Sequence, residues 1–95
     1  MKQPCVYIMA SGRKVTIYIG VRSDVVKRVW EHKNDLVPSF TSRYKFHDLV
    51  WYEAHQTLES AITRESALKN WKRKWKLELI EPANPEWRDL YSDVL

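Results

Sequence analysis

Five side chains in this sequence are of types that together suit cleavage of a phosphodiester bond: Tyr7, Tyr18, Arg28, His32 and Glu65. Hydrolysing such a bond requires a base for the attacking water and a cation against the charge that builds on the phosphoryl oxygens, and a metal ion can share both tasks. Arginine suits the second task because its planar fork matches phosphate. A single carboxylate is enough protein ligand for Mg²⁺, which keeps most of its waters. Tyrosine is a poor base at its free pKa of about 10, but a metal or a guanidinium beside it lowers that value. Each residue alone also has an ordinary reading. The tyrosines are sheet residues with satisfied hydroxyls, Arg28 is a surface charge, His32 is a polar helix residue, and Glu65 pairs with Arg64 or Lys69. The argument for chemistry is that one small fold brings them together.

The elements that must position them are legible in turn. Residues 5–10 (CVYIMA) are apolar, with Tyr7 the one polar tip, as in a buried central strand. Cys5 reads as a packed core thiol. Ser11-Gly12-Arg13-Lys14 is a turn, with Gly12 able to take a positive φ, and Val15–Val21 is a second strand that closes an antiparallel hairpin. Gly20 ends it at a place suited to a close backbone approach. Ser23 or Asp24 caps a helix whose core stripe is Val25, Val29 and Leu36. Arg28 and His32 lie one turn apart on a face bordering that stripe, so both point toward the sheet.

A basic, aromatic loop spans residues 34–47, with Phe40, Arg43, Tyr44, Lys45 and His47, and Pro38 argues against continuing the helix. Residues 48–54 (DLVWYEA) read as a third strand. A second helix opens at Thr57, with Leu58, Ala61, Ile62 and Leu68 as its apolar set. Glu65 falls inside that arc, where a carboxylate is costly unless paired or bound to metal. Residues 69–76 (KNWKRKWK) carry five positive charges; Trp71 and Trp75 share a face and seal the core, while the lysines solvate the outside or track a phosphate backbone. Pro82 and Pro85 end helical structure, and Trp87, Leu90 and Tyr91 pack back on the body.

Whole-chain properties agree. At 95 residues, one domain covering 1–95 is expected, large enough for a real core with little stability to spare. A net charge of +4 and a pI near 9.3 favour anionic partners. One cysteine excludes an internal disulfide and a multi-cysteine zinc site. No apolar run is long enough for a membrane span and no signal-peptide core is present, so a cytoplasmic protein without a membrane partner is expected.

In this order and spacing, the motifs resemble those of the GIY-YIG nuclease superfamily, and more narrowly its small stand-alone bacterial proteins. Cys5-Val6-Tyr7 stands for the first motif, with cysteine in place of its glycine, and Tyr18-Ile19-Gly20 is an intact second motif. Arg28, His32, Glu65 in TRESALKNW and Asn84 in NPEWRDLY match the family's helix arginine, its His or Tyr, its metal-binding glutamate and a site-shaping polar residue. The resemblance covers almost the full length. It implies an α+β fold with a three-stranded antiparallel sheet flanked by helices. It also implies an endonuclease that uses one divalent metal, Mg²⁺ or Mn²⁺, held by Glu65, and leaves a 5′-phosphate and a 3′-hydroxyl. By that analogy Arg28 stabilises the transition state, Tyr7 is the base, and Tyr18 and His32 position the water or share the proton. DNA is the expected substrate, in single-stranded or branched form, within repair, recombination or a related process. Lys27, Arg43, Lys69, Lys72 and Arg73 are the expected nucleic-acid contacts, Gly20 and Asn84 shape the site, and a monomer or weak dimer is expected, with a protein partner as a possible source of specificity. The competing reading is a nucleic-acid-binding module without turnover, carried by the basic tract and the aromatic loop.

Overall fold

Two sheet faces, each covered by its own pair of helices, organise the chain. The computed structural model describes residues 3–11, 16–34, 36 and 47–95. Strands β1 (Cys5–Ala10), β2 (Ile17–Arg22) and β3 (Asp48–Ala54) form one antiparallel sheet in the order β2-β1-β3. Helices α1 (Val25–Lys33), α2 (Leu58–Lys69), α3 (Arg73–Ala83) and α4 (Tyr91–Val94) complete the described architecture. None of them is long and apolar enough to cross a membrane. The α+β class and the three-stranded sheet are those expected. The Gly12 turn, Val15 and the 37–46 loop with Arg43 lie outside the described residues.

Strand β1 is central and every one of its side chains is buried. Its continuous apolar run follows from having both faces covered. Alternate residues then divide the core. Val6, Ile8 and Ala10 join Ile19, Val50, Trp51, Ala61, Leu68, Ile80 and Trp87 on the face covered by α2 and α3. Cys5, Tyr7 and Met9 join Val25, Val29, Leu49 and Val94 on the face covered by α1 and α4. Cys5 is a buried thiol, and burial pushes its pKa up.

Three expectations about helix faces are corrected. Helix α1 stops at Lys33, and Leu36 is 63% exposed instead of in the core. The helix end explains this: Asn34 caps it by donating to the Trp30 carbonyl, and Leu36 N–H reaches back to the Glu31 carbonyl at 2.9 Å, a six-residue closing bond that turns the chain outward. The third buried position on α1 is His32. On α2 only Ala61 and Leu68 are buried, whereas Leu58 and Ile62 face solvent. Trp71 packs against the core but Trp75 is 47% exposed, because Trp71 precedes α3 and helical spacing does not relate the two rings. They meet edge to face instead. Pro82 is also accommodated inside the last turn of α3, which ends at Asn84.

Polar contacts fix the helices that flank the site. Asp24, not Ser23, caps α1, its carboxylate accepting from Lys27 N–H at 3.2 Å. Thr57 caps α2 by accepting from Ser60 N–H. Glu53 at the end of β3 receives His55 Nε2 at 2.7 Å and Arg64 Nε at 3.2 Å, which ties α2 to the sheet. The C-terminal segment clamps α1 to β3: Asp89 accepts from Leu49 N–H and pairs with Lys33, whose ammonium also donates to the His47 carbonyl. Trp87 adopts φ 55°, a strained conformation for a bulky residue, within a turn closed to Asn84 and with its indole N–H donated to Glu81. Trp87, Leu90 and Tyr91 thus pack on the body as expected.

Candidate active site

The α1-covered face of the sheet carries a polar cluster inside an otherwise apolar layer. Tyr7 faces Gly20 across the β1–β2 ladder and Tyr18 faces Met9, so the two tyrosines are diagonal neighbours on one face. Their ring centroids are 6.3 Å apart. His32, reaching down from α1, lies 6.2 Å from the Tyr7 ring and 5.4 Å from the Tyr18 ring. Gly20 makes this possible through space, since its φ is not left-handed. A Cβ there would stand 2.5 Å from the Tyr7 oxygen and 2.6 Å from Cζ, so the phenol lies directly over the glycine.

Arg28 sits one turn before His32 with only 14% of its side chain exposed. Its guanidinium interacts with both tyrosine hydroxyls and donates to Glu31 Oε1 at 3.3 Å. Its buried Nε has no hydrogen-bond partner among the described residues. Two opposed effects act on Tyr7: burial raises its pKa and Arg28 lowers it. Burial wins, with help from neighbouring Tyr18, and the phenol is pushed up to about 12. The guanidinium acts in the expected direction but is outweighed by burial, so at neutral pH Tyr7 is a protonated phenol.

His32 goes the other way. It is 1% exposed, and burial, followed by the charge of Arg28, pushes its pKa down to about 4. The ring is neutral at physiological pH. Neither of its nitrogens has a hydrogen-bond partner among the described residues. An orphaned buried donor and acceptor costs on the order of 1–3 kcal/mol and calls for a water or a substrate to complete it.

A cavity of about 270 Å³ opens beside the cluster, lined by Arg22, Ser23, Asp24, Lys27, Arg28 and Glu31. Its two acids are already engaged, Asp24 as the α1 cap and Glu31 with Arg28, so the approach to Arg28 is cationic. Sequence reasoning missed Arg22 and Glu31. The signal for Glu31 was its place one turn after Arg28; Arg22 had none beyond its charge. A larger cavity of about 350 Å³ lies between β3 and the C-terminal segment, but its charged residues Arg88 and Asp93 pair with each other at 2.9 Å, which leaves it poorly suited to phosphate.

Glu65 stands on α2, which packs along β2, the strand of Tyr18. Its side chain is 17% exposed, and Oε2 is 3.6 Å from Lys69 Nζ. The semi-buried carboxylate expected from the sequence is thus present, paired one turn along its own helix. No group of three or more His, Cys, Asp or Glu side chains suited to a metal occurs among the described residues. A single part-buried carboxylate fits Mg²⁺ or Mn²⁺ that keeps its waters and does not fit a protein-caged zinc. Asn84 is buried; it donates to the Val50 and Arg88 carbonyls and accepts from Arg88 N–H, so its contacts join α3, β3 and the C-terminal segment. Lys27, Lys69, Lys72 and Arg73 are all exposed, Lys27 at the cavity and the other three around the start of α3.

Comparison with known proteins agrees with this geometry. Residues 3–78 match the GIY-YIG catalytic domain. The chain is 32% identical over 66 residues to a UPF0213 protein of Staphylococcus epidermidis, covering 70% of this chain and 80% of that protein. A UPF0213 protein of Staphylococcus saprophyticus is 32% identical over 65 residues, covering 68% of this chain and 79% of its own length. No solved structure matches the chain significantly.

Proposed function

Since this chain belongs to the GIY-YIG family of nuclease domains, we propose that it is a metal-dependent endonuclease that hydrolyses DNA phosphodiester bonds, leaving a 5′-phosphate and a 3′-hydroxyl. The observation that carries the reading is the buried cluster itself, in which a guanidinium, two phenols and an unpartnered neutral imidazole meet beside a cationic cavity.

In this reading Arg28 receives the scissile phosphate from the cavity and opposes the charge that develops on its oxygens. Gly20 keeps the Tyr7 phenol flat against β2, under that phosphate. Tyr7 takes the proton of the attacking water while its own proton passes through a bridging water to His32, whose nitrogens have no direct partner among the described residues. A phenol of pKa about 12 does not supply a standing phenolate, so transfer in concert with a neutral acceptor suits it better than prior ionisation. Tyr18, whose ring lies against those of Tyr7 and His32, orients the water. Glu65 would hold the divalent ion, which when bound supplies Lewis-acid stabilisation of the phosphoryl and leaving oxygens. Lys69 would have to release Glu65 for this, which the 3.6 Å spacing of a largely exposed lysine makes inexpensive. Lys27, Lys69, Lys72 and Arg73 meet the backbone on either side, contacts that position without reading sequence. We place this activity in DNA repair or a related processing event.

The test is a cleavage assay on labelled single-stranded, double-stranded and branched DNA with Mg²⁺, Mn²⁺ or EDTA. The reading predicts nicking that EDTA abolishes. Binding without cleavage under every condition would replace it with that of a nucleic-acid-binding module.

A further inference from the structure

Trp75 stands half exposed on α3, in the middle of the most basic stretch of the chain. The ring is nevertheless held. Trp71 meets it edge to face at 6.3 Å with the planes 87° apart, and the Lys72 ammonium lies 5.6 Å from its centroid. Trp71 is itself fixed by the core on one side and by the Arg64 guanidinium at 5.3 Å. Arg64 in turn is anchored to Glu53 of β3. A chain of contacts from the sheet therefore orients an indole and leaves about half of its surface to solvent. Lys69, Lys72, Arg73, Lys74 and Lys76 flank it in sequence, and of these Lys72 lies over the ring.

A ligand for this surface must offer a flat π face within a few ångströms of negative charge. An unpaired nucleobase with its phosphate has that form, and stacking on an aromatic side chain is the general mode by which single strands are held. A base within a duplex does not, since its neighbours cover both faces. An apolar protein partner suits the site poorly, because the stretch that carries the indole also carries five cations. The position is also informative. The tract begins at Lys69, one turn beyond Glu65 and paired with it. The basic tract is thus tied at its first residue to the candidate metal ligand.

We infer that the Trp71–Trp75 corner is a stacking platform for an unpaired base of single-stranded DNA, so that the proposed nuclease engages DNA at a single-stranded segment. This rests on the proposed function for the choice of DNA and for the location of the cut. Lys72 and its neighbours neutralise the flanking phosphates, and Trp75 supplies the preference for an unpaired strand.

The test measures binding in EDTA, by fluorescence anisotropy of short labelled oligonucleotides, for wild type, Trp75→Ala, Trp75→Phe and Lys72→Gln. Trp75→Ala is expected to weaken single-stranded DNA roughly 10-fold while leaving duplex affinity within about 2-fold; Trp75→Phe keeps most of the affinity, and Lys72→Gln weakens both forms alike. Thermal melting checks the fold, and the phenylalanine variant preserves the packing against Trp71 if alanine does not. Equal loss on duplex and single strand, or no loss on either, overturns the platform. Tighter Trp75-dependent binding of single-stranded RNA overturns its assignment to DNA. If wild type cuts DNA and Trp75→Ala binds it unchanged, the platform is wrong and the nuclease stands. If single strands bind through Trp75 and are never cut, the platform stands and the nuclease reading falls.

Discussion

The two faces of the sheet share one strand yet serve opposite ends. Val6, Ile8 and Ala10 of β1 enter a hydrophobic cluster closed by Leu68, Ile80 and Trp87. Cys5, Tyr7 and Met9 enter a layer in which an imidazole occupies a core position and a guanidinium stands at the edge. The first face gains stability from every contact. The second gives up some of it, because His32 is buried without partners and Tyr7 is held far from its usual titration range. Strained or unsatisfied polar groups collect at functional sites, and a second, well-packed face is what lets so small a fold carry them.

Substitutions on the two faces should therefore separate stability from activity. The largest loss of stability is expected from Ile8→Ala or Leu68→Ala, about 2–5 kcal/mol in urea unfolding, with the rate per folded molecule unchanged. Arg28→Ala should do the converse, lowering the cleavage rate roughly 10²- to 10³-fold with little change in melting. A melting shift as large as that of Ile8→Ala would mean that Arg28 belongs to the core and the division is false.

The histidine sharpens the comparison through pH. Its folded pKa, about 4, lies below the unfolded value of about 6.5, so the unfolded chain takes up a proton first. Stability from this group is present above pH 6.5 and is lost as pH falls toward 4, by at most about 3 kcal/mol. Unfolding measured at pH 7 and near pH 4.5 should show that loss in wild type and a smaller one in His32→Gln. The acid limb of the rate profile assigned to this group should likewise lie near pH 4 and not near 6.5. Gly20→Ala is the smallest of the four, about 1–3 kcal/mol of destabilisation, since Tyr7 must shift to admit the methyl group. Its effect on cleavage should exceed its effect on stability; equal effects would argue that the close approach serves packing alone.

Much of the site was readable from residue spacing. The hairpin, the placing of Tyr7 and Tyr18 on its two strands, the shared helical face of Arg28 and His32, and the half-buried Glu65 follow from strand and helix periodicity. The errors have one physical origin, which is that periodicity says which residues share a face but not where an element stops or how deeply it sinks. Leu36 was assigned to a helix that had already turned outward. Leu58 and Ile62 were assigned to a core that α2 touches only through Ala61 and Leu68. Trp71 and Trp75 were placed on one helix that begins between them. The same gap explains Tyr7. Sequence supplied the neighbouring guanidinium but not the depth of burial, and burial decides the direction of its pKa.

The most direct test of the account compares wild type, Glu65→Ala and Arg28→Ala in one DNA nicking assay with Mg²⁺ or Mn²⁺, after melting has shown all three to be folded. The account predicts metal-dependent nicking by wild type and its loss in both variants, with DNA binding retained by Glu65→Ala. Full nicking by Glu65→Ala, or by wild type in EDTA, would contradict it.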